Sequence, residues 1–219
     1  MARMAVSPKR AETKLDGDRV ERKLDGDKAQ RIVSAMRSSV GLRGAAGSTF
    51  DHVAQEAGVS RGLLHYYFGS KERLLVEVMR HDCDIRMARL ERILANADSV
   101  DAIIEALVSN LREFIAEDAD TGSFSLIFEM FSASRHNEDI REEMAELYRK
   151  VRGHVADVLG EKEREGVVEL RCDPESAASV LLALADGITL QTLSDPDWDN
   201  GPAFEAGAAT ASFLLGGRS

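Results

Sequence analysis

The stretch Thr49–Leu75, TFDHVAQEAGVSRGLLHYYFGSKERLL, decides the fold. Thr49 stands where a helix N-cap belongs, and Phe50, Val53, Ala54 and Ala57 follow at helical spacing. Gly58 comes next, the residue type that most readily closes a helix in the left-handed conformation. Ser60 then caps a second helix whose inward residues are Leu64 and Phe68. Arg61, Gly62, Leu63, His65, Tyr66 and Tyr67 are left to line its remaining surface. Ser70 starts a third helix, with Glu72 in the first turn where the helix dipole favours an acid. Two short helices joined by a glycine turn form the layout of a helix-turn-helix, in which the second helix enters the major groove of DNA.

Upstream, Asp27 and Gln30 have capping-box spacing, ahead of an apolar stripe of Ile32, Val33, Met36 and Val40. Gly41, Gly44 and Gly47 end that helix, so residues 27–70 are expected to form a three-helix DNA-binding domain. Residues 1–26 differ in character. KLDGD occurs at Lys14–Asp18 and again at Lys23–Asp27 in a stretch dense in charge and poor in large apolar residues. Such a segment does not fold alone. Asp16, Asp18, Asp25 and Asp27 oppose phosphate, which favours a solvated tail over a DNA-touching arm acting through Arg3, Lys9 and Arg10.

Downstream the pattern stays helical, with no strand signal, and the fold class is all-α. A helix from Lys71 to about Asn96 turns Leu74, Leu75, Val78, Met79, Ile85, Leu90, Ile93 and Leu94 inward. At about 1.5 Å per residue it spans nearly 40 Å. Ser99 caps a further helix toward Asp118, and Gly122-Ser123 precedes one ending near His136. Asn137 opens another that frays over Glu161–Glu165. Asp173-Pro174 starts one that stops at Asp195-Pro196, and the last runs from near Pro202 to Gly216-Gly217. Residues 71–219 are thus a larger helical domain.

Of the 219 residues, 44% are hydrophobic and 30% charged, enough apolar matter for a core. The net charge of −10 is unevenly placed. Residues 1–80 carry 15 Lys and Arg against 10 Asp and Glu, while the rest carries 13 against 28. Attraction for phosphate therefore sits on the helix-turn-helix side. The opening residues lack a secretory apolar core, and no later apolar run approaches the roughly 18 residues of a membrane span. That predicts a cytoplasmic, nucleoid-associated protein with no membrane partner. Cys83 and Cys172 have neither disulfide nor metal spacing, so neither metal nor cofactor is expected. No Glu-x-x-His, HExxH or phosphate loop occurs, and His52, His65, His81, His136 and His154 stand singly. Catalysis is not expected.

The ordered set Thr49, Val53-Ala54, Ala57-Gly58-Val59-Ser60, Gly62, Leu64, Tyr67-Phe68, Ser70-Lys71-Glu72 and Leu74 resembles the DNA-binding region of the TetR family of bacterial regulators. The resemblance implies a homodimer on a palindromic double-stranded DNA operator, acting as a repressor released by a small, largely apolar effector. In that picture Thr49, Ser60 and the helix starts, with Tyr67 and Lys71, hold phosphates. Arg61, Leu63, His65 and Tyr66 reach base edges, and Gly62 lets the backbone approach. His65 departs from the family, which commonly has tyrosine there. The resemblance also implies an effector cavity, for which Phe114, Phe124, Phe128, Met130, Phe131, Leu147 and Tyr148 are the candidates. It places a dimer interface on the last two helices, at Leu181, Ala185, Ile188, Phe204, Ala208 and Ala211. The rival reading is a dimeric helical adaptor using the motif only for packing.

Overall fold

The structure, a computed structural model, describes residues 26–217. The expectation for Arg3, Lys9 and Arg10 lies outside the described residues. The regular structure among those described is entirely helical: α1 (Asp27–Gly47), α2 (Phe50–Ala57), α3 (Arg61–Phe68), α4 (Lys71–Leu94), α5 (Val100–Thr121), α6 (Ser123–Ser134), α7 (Glu138–Arg164), α8 (Pro174–Ser194) and α9 (Gly201–Leu214). Two compact units meet between Val78 and Met79, inside α4.

The first unit is built on the stripe of α1. Ile32, Val33, Met36 and Val40 are buried together with Phe50, Val53, Leu64, Phe68, Leu74, Leu75 and Val78. Each such large side chain contributes about 1.5 to 3 kcal/mol, and so few helices need the first turns of α4 to complete a core. The expected capping box at Asp27 is absent. Asp27 is already helical, and the Gly26 carbonyl accepts from the amides of Ala29 (2.8 Å) and Gln30 (3.2 Å). Near its end α1 kinks at Gly44 (φ 68°, ψ 167°), where the Ser48 hydroxyl donates to the Gly44 carbonyl at 2.9 Å.

Thr49 caps α2 as expected, accepting from the His52 amide at 3.3 Å. Gly58 is left-handed (φ 65°, ψ 40°), and this turn sets α3 against α2. Ser60 occupies the N-cap of α3, but its hydroxyl makes no capping bond. The Leu63 amide bonds to the Ser60 backbone carbonyl instead, at 2.9 Å. Ser70 does cap α4, accepting from the Arg73 amide at 3.2 Å.

In the second unit α4 turns Met79, Asp82, Cys83 and Leu94 inward. Ile85 and Ile93, expected on that face, are exposed (51% and 37%), because the inward stripe continues at spacings that put them on the far side. Ser99, Asn137 and Asp173 cap α5, α7 and α8 with side-chain bonds of 3.3, 3.2 and 3.0 Å. α7 runs through the stretch expected to fray. Buried Lys162 holds it there, donating to the Ala97 carbonyl and to Glu165, each at 3.0 Å. At the start of α6, buried Asp118 accepts from the Phe124 amide and buried Asp82 from the Ser123 hydroxyl, each at 2.6 Å. A core of Leu94, Ile103, Leu159, Ala177 and Leu215 closes one end of the bundle.

α8, 21 residues long, is long and apolar enough by length and composition to cross a membrane, against the expectation that no such run exists. It packs on α7, α9 and α5, and it carries Asp186 on a cavity wall.

Candidate nucleic-acid interface and ligand cavity

The outer surface of α3 is polar at its start and aromatic at its end. Arg61, the first helical residue, leaves its side chain 60% exposed, and its Nη1 donates to both carboxylate oxygens of Asp51 on α2. Tyr66 is 60% exposed, its ring edge-on to Tyr67 with centroids 5.5 Å apart. Ser60 and Gly62 are exposed, and Leu63 and Tyr67 are half-buried. A Cβ on Gly62 would meet only the Ser60 Oγ, at 3.9 Å, so the backbone lies open on this surface. An exposed arginine, an exposed tyrosine and an uncovered backbone on one short helix can together meet base edges and phosphates.

His65 is turned differently. Its ring stands edge-on to Phe50 at 4.8 Å, and Nδ1 lies 3.2 Å from the Gly69 carbonyl. A carbonyl only accepts, so Nδ1 is the donor in this bond. Lys71 is half-buried and donates to the Ala46 carbonyl at 3.2 Å, tying the start of α4 to the end of α1. Thr49 is exposed, with its hydroxyl engaged in the cap. The structure thus gathers the nine expected residues around α3, with Arg61, Tyr66 and Gly62 the most open. It adds Asp51, which the sequence did not single out because its partner Arg61 lies ten residues along the chain.

The second unit encloses a cavity of about 250 Å³ between α4, α5, α6, α7, α8 and α9. Phe114, Phe124, Leu147 and Tyr148 line it, as the sequence led one to expect. Phe128, Met130 and Phe131 do not. α6 meets the cavity through Phe124 and Ile127, which turns Phe128 and Phe131 outward and Met130 into separate packing. The walls from α4 include Cys83, Arg86, Met87 and Leu90, none of them marked by sequence pattern as ligand-facing.

Polar groups gather at one place on this wall. The Tyr148 hydroxyl donates to Asp186 at 3.5 Å, and Arg86 donates to the Cys83 sulfur at 3.2 Å while its guanidinium lies 4.5 Å over the Phe114 ring. Burial, reinforced by the Asp186 charge, pushes the Tyr148 phenol up to about 12. Burial likewise raises the Asp186 carboxyl above the usual range, against the opposing pull of Tyr148 and Arg86.

The six residues expected at a dimer interface also face inward. Leu181, Ala185, Ile188, Phe204, Ala208 and Ala211 all line the cavity. The outward faces of these helices present Val180, Ala183 and Leu190 on α8 and Ala206, Ala209 and Phe213 on α9. Both helices are apolar on every side, so periodicity could not choose a face. Among the described residues no cluster of His, Cys, Asp and Glu is arranged to hold a metal ion.

Comparison with known proteins agrees with both halves of this geometry. Residues 32–78 match the family "Bacterial regulatory proteins, tetR family", and residues 99–215 match "BetI-type transcriptional repressor, C-terminal". An HTH-type transcriptional regulator BetI of Vibrio vulnificus is 27% identical over 180 residues, covering 78% of this chain and 83% of its own. A TetR transcription regulator from Haloarcula marismortui superposes with a TM-score of 0.66 at 22% identity, covering 86% of this chain and 96% of that one. FadR of Bacillus subtilis, solved in complex with stearoyl-CoA, gives 0.62 at 17% identity over 87% and 99%. These two structures speak for the fold alone.

Proposed function

Since the chain belongs to the TetR family of DNA-binding transcriptional regulators, a family of regulators and not of enzymes, we propose that it is a homodimeric repressor of a palindromic operator, released by a small, largely apolar effector. Its DNA contacts are Arg61, Leu63, His65 and Tyr66 toward base edges, and Thr49, Ser60, Tyr67 and Lys71 toward phosphates, with Gly62 admitting the backbone. The observation that carries this reading is the exposure of Arg61 and Tyr66 on the second helix of the motif. A helix used only for packing would bury such side chains, which disfavours the adaptor reading. The dimer forms through the outward faces of α8 and α9 around Val180, Leu190 and Phe213, large side chains exposed on a single chain. The protein works in the cytoplasm, where its operator lies.

The effector occupies the cavity and must favour one arrangement of the protein over another, since equal affinity for two arrangements shifts neither. α4 is the element suited to carry that preference. It supplies Leu74, Leu75 and Val78 to the core of the first unit and Cys83, Arg86 and Leu90 to the cavity wall.

The test is selection of bound sequences from a random duplex pool. Enrichment of a palindrome, with binding that weakens steeply as salt rises, is the expected result. Recovery of no sequence above background would oppose the reading.

A further inference from the structure

The cavity wall is mostly hydrocarbon, with Asn110 on α5 and one polar cluster as its exceptions. In that cluster Tyr148, Asp186, Arg86 and Cys83 lie side by side. Arg86 is already engaged, stacked on Phe114 and bonded to the Cys83 sulfur. Asp186 is not. It has roughly four acceptor positions, and only one long hydrogen bond, 3.5 Å from Tyr148, reaches it; among the described residues no cation comes within salt-bridge distance, and Arg86 acts on it only through space. Three residues along α8 on the same wall, Thr189 is fully buried and its hydroxyl finds no partner among the described residues. A buried polar atom left unsatisfied is rare and costly, and the orphaned Thr189 hydroxyl beside the under-satisfied Asp186 carboxyl marks the place where a ligand completes the network.

The unmet capacity is chiefly for donors. A neutral alcohol could supply one, but a charged donor to a carboxylate makes a bond roughly twice as strong as a neutral one. An anionic ligand could reach the remaining N–H donors of Arg86, but it would bring a second negative charge beside Asp186. We propose that the cavity binds an apolar molecule ending in a protonated primary or secondary amine, which donates to Asp186 while its hydrocarbon body lies against Phe114, Phe124, Leu147 and Phe204. This assignment rests on the cavity being the effector site and names the chemistry the effector brings there. The raised carboxyl of Asp186 fits it, because an ammonium relieves the cost of a half-buried charge.

Four probes with one octyl chain test the assignment by calorimetry on the full-length protein near neutral pH: octylamine, octanol, octanoate and octyltrimethylammonium. Octylamine should bind at least about tenfold more tightly than the other three. Asp186→Asn should reduce that preference to within about threefold. Tyr148→Phe, which retains the carboxylate, should preserve it. Tighter binding of octanoate, equal binding of the quaternary ion, an amine preference surviving in Asp186→Asn, or no binding of any probe at about 1 mM would each overturn the amine assignment. The reading of the cavity itself is judged separately. Ala185→Trp fills the cavity, and if it abolishes octanol binding while the amine preference fails, the site stands and only its ligand class falls.

Discussion

Arg61 and Asp51 clasp the helix-turn-helix from outside, one guanidinium nitrogen donating to both carboxylate oxygens at 3.2 and 3.1 Å across the turn between α2 and α3. Both side chains are well exposed, so the pair contributes only about 0 to 1 kcal/mol to the fold. A good bidentate contact from Arg61 to a base is worth about 1 to 3 kcal/mol. If Arg61 reads a base as proposed, DNA would draw it away from Asp51, and the carboxylate would then hold the free arginine in register and repel misplaced phosphates. Asp51→Ala is expected to change unfolding stability by less than about 1 kcal/mol. It should tighten binding to arbitrary duplex and lower the ratio of operator to non-specific affinity. Fluorescence anisotropy on the two duplexes measures that ratio, and an unchanged value would show that Asp51 has no part in selectivity.

Leu64 and Tyr66 separate the packed face of α3 from its exposed face. Leu64 is wholly buried, and its replacement by alanine should cost about 2 to 5 kcal/mol of stability. Tyr66 is mostly exposed, so Tyr66→Ala should cost no more than about 0.5 kcal/mol in urea unfolding. Its operator affinity should nevertheless fall by about tenfold or more. A matching loss of stability in both variants would mean that Tyr66 is a core residue.

That division was legible in the sequence because α2 and α3 are short and strongly two-sided. Phe50, Val53, Leu64 and Phe68 had one face available, and Gly58 announced the turn. Where the signal fails, helices are apolar all round or a partner lies far along the chain. Leu181 and Val180 are adjacent and equally apolar, yet one lines a cavity and the other faces outward. Arg86 reads as an ordinary charged residue of a long helix until α7 and α8 bring Tyr148 and Asp186 beside it. Phe128 and Phe131 read as pocket residues by composition alone, whereas the register of α6 turns them out.

Gly58 gives a test of the turn free of any packing change. A Cβ built there meets nothing within 4 Å, so the cost of Gly58→Ala is that of the left-handed backbone alone. That cost is about 1 to 2 kcal/mol, read from the shift of the urea midpoint at constant slope. A neutral substitution would mean that the turn does not hold this conformation in solution.

Phe213 and Leu190 test the assembly. Both expose large apolar side chains on the outward faces of α9 and α8. A stable homodimer buries on the order of 1,200 Å² or more, and a charge at its centre is strongly unfavourable. Leu190→Glu should yield monomers in sedimentation velocity and lose tight binding to the palindrome, with helical content retained. The cavity-facing change Leu181→Ile, which conserves volume, should leave the assembly intact. If Leu190→Glu sediments as the parent does, the interface lies elsewhere.

The pair of Tyr148 and Asp186 predicts how stability depends on pH. Burial raises the Asp186 carboxyl above its unfolded value, so the folded protein holds this proton over a window just above the ordinary carboxylate range where the unfolded chain has lost it. Its contribution is fully present below the unfolded pKa and is lost as pH rises through the folded one. Asp186→Asn removes the titration. The variant should therefore gain on the parent as pH is raised through that window and hold a constant margin above it. Tyr148 acts in the same direction at the other end of the scale. With its phenol at about 12 rather than the ordinary 10.0, its proton is held in the folded state while the unfolded chain ionises. The resulting stability is present below pH 10 and disappears between about 10 and 12, so Tyr148→Phe should flatten that part of the profile. Urea unfolding of the three proteins across pH gives both slopes. An Asp186→Asn margin that shrinks as pH rises would reverse the sign and show the carboxylate to be stabilised, not strained, by its surroundings.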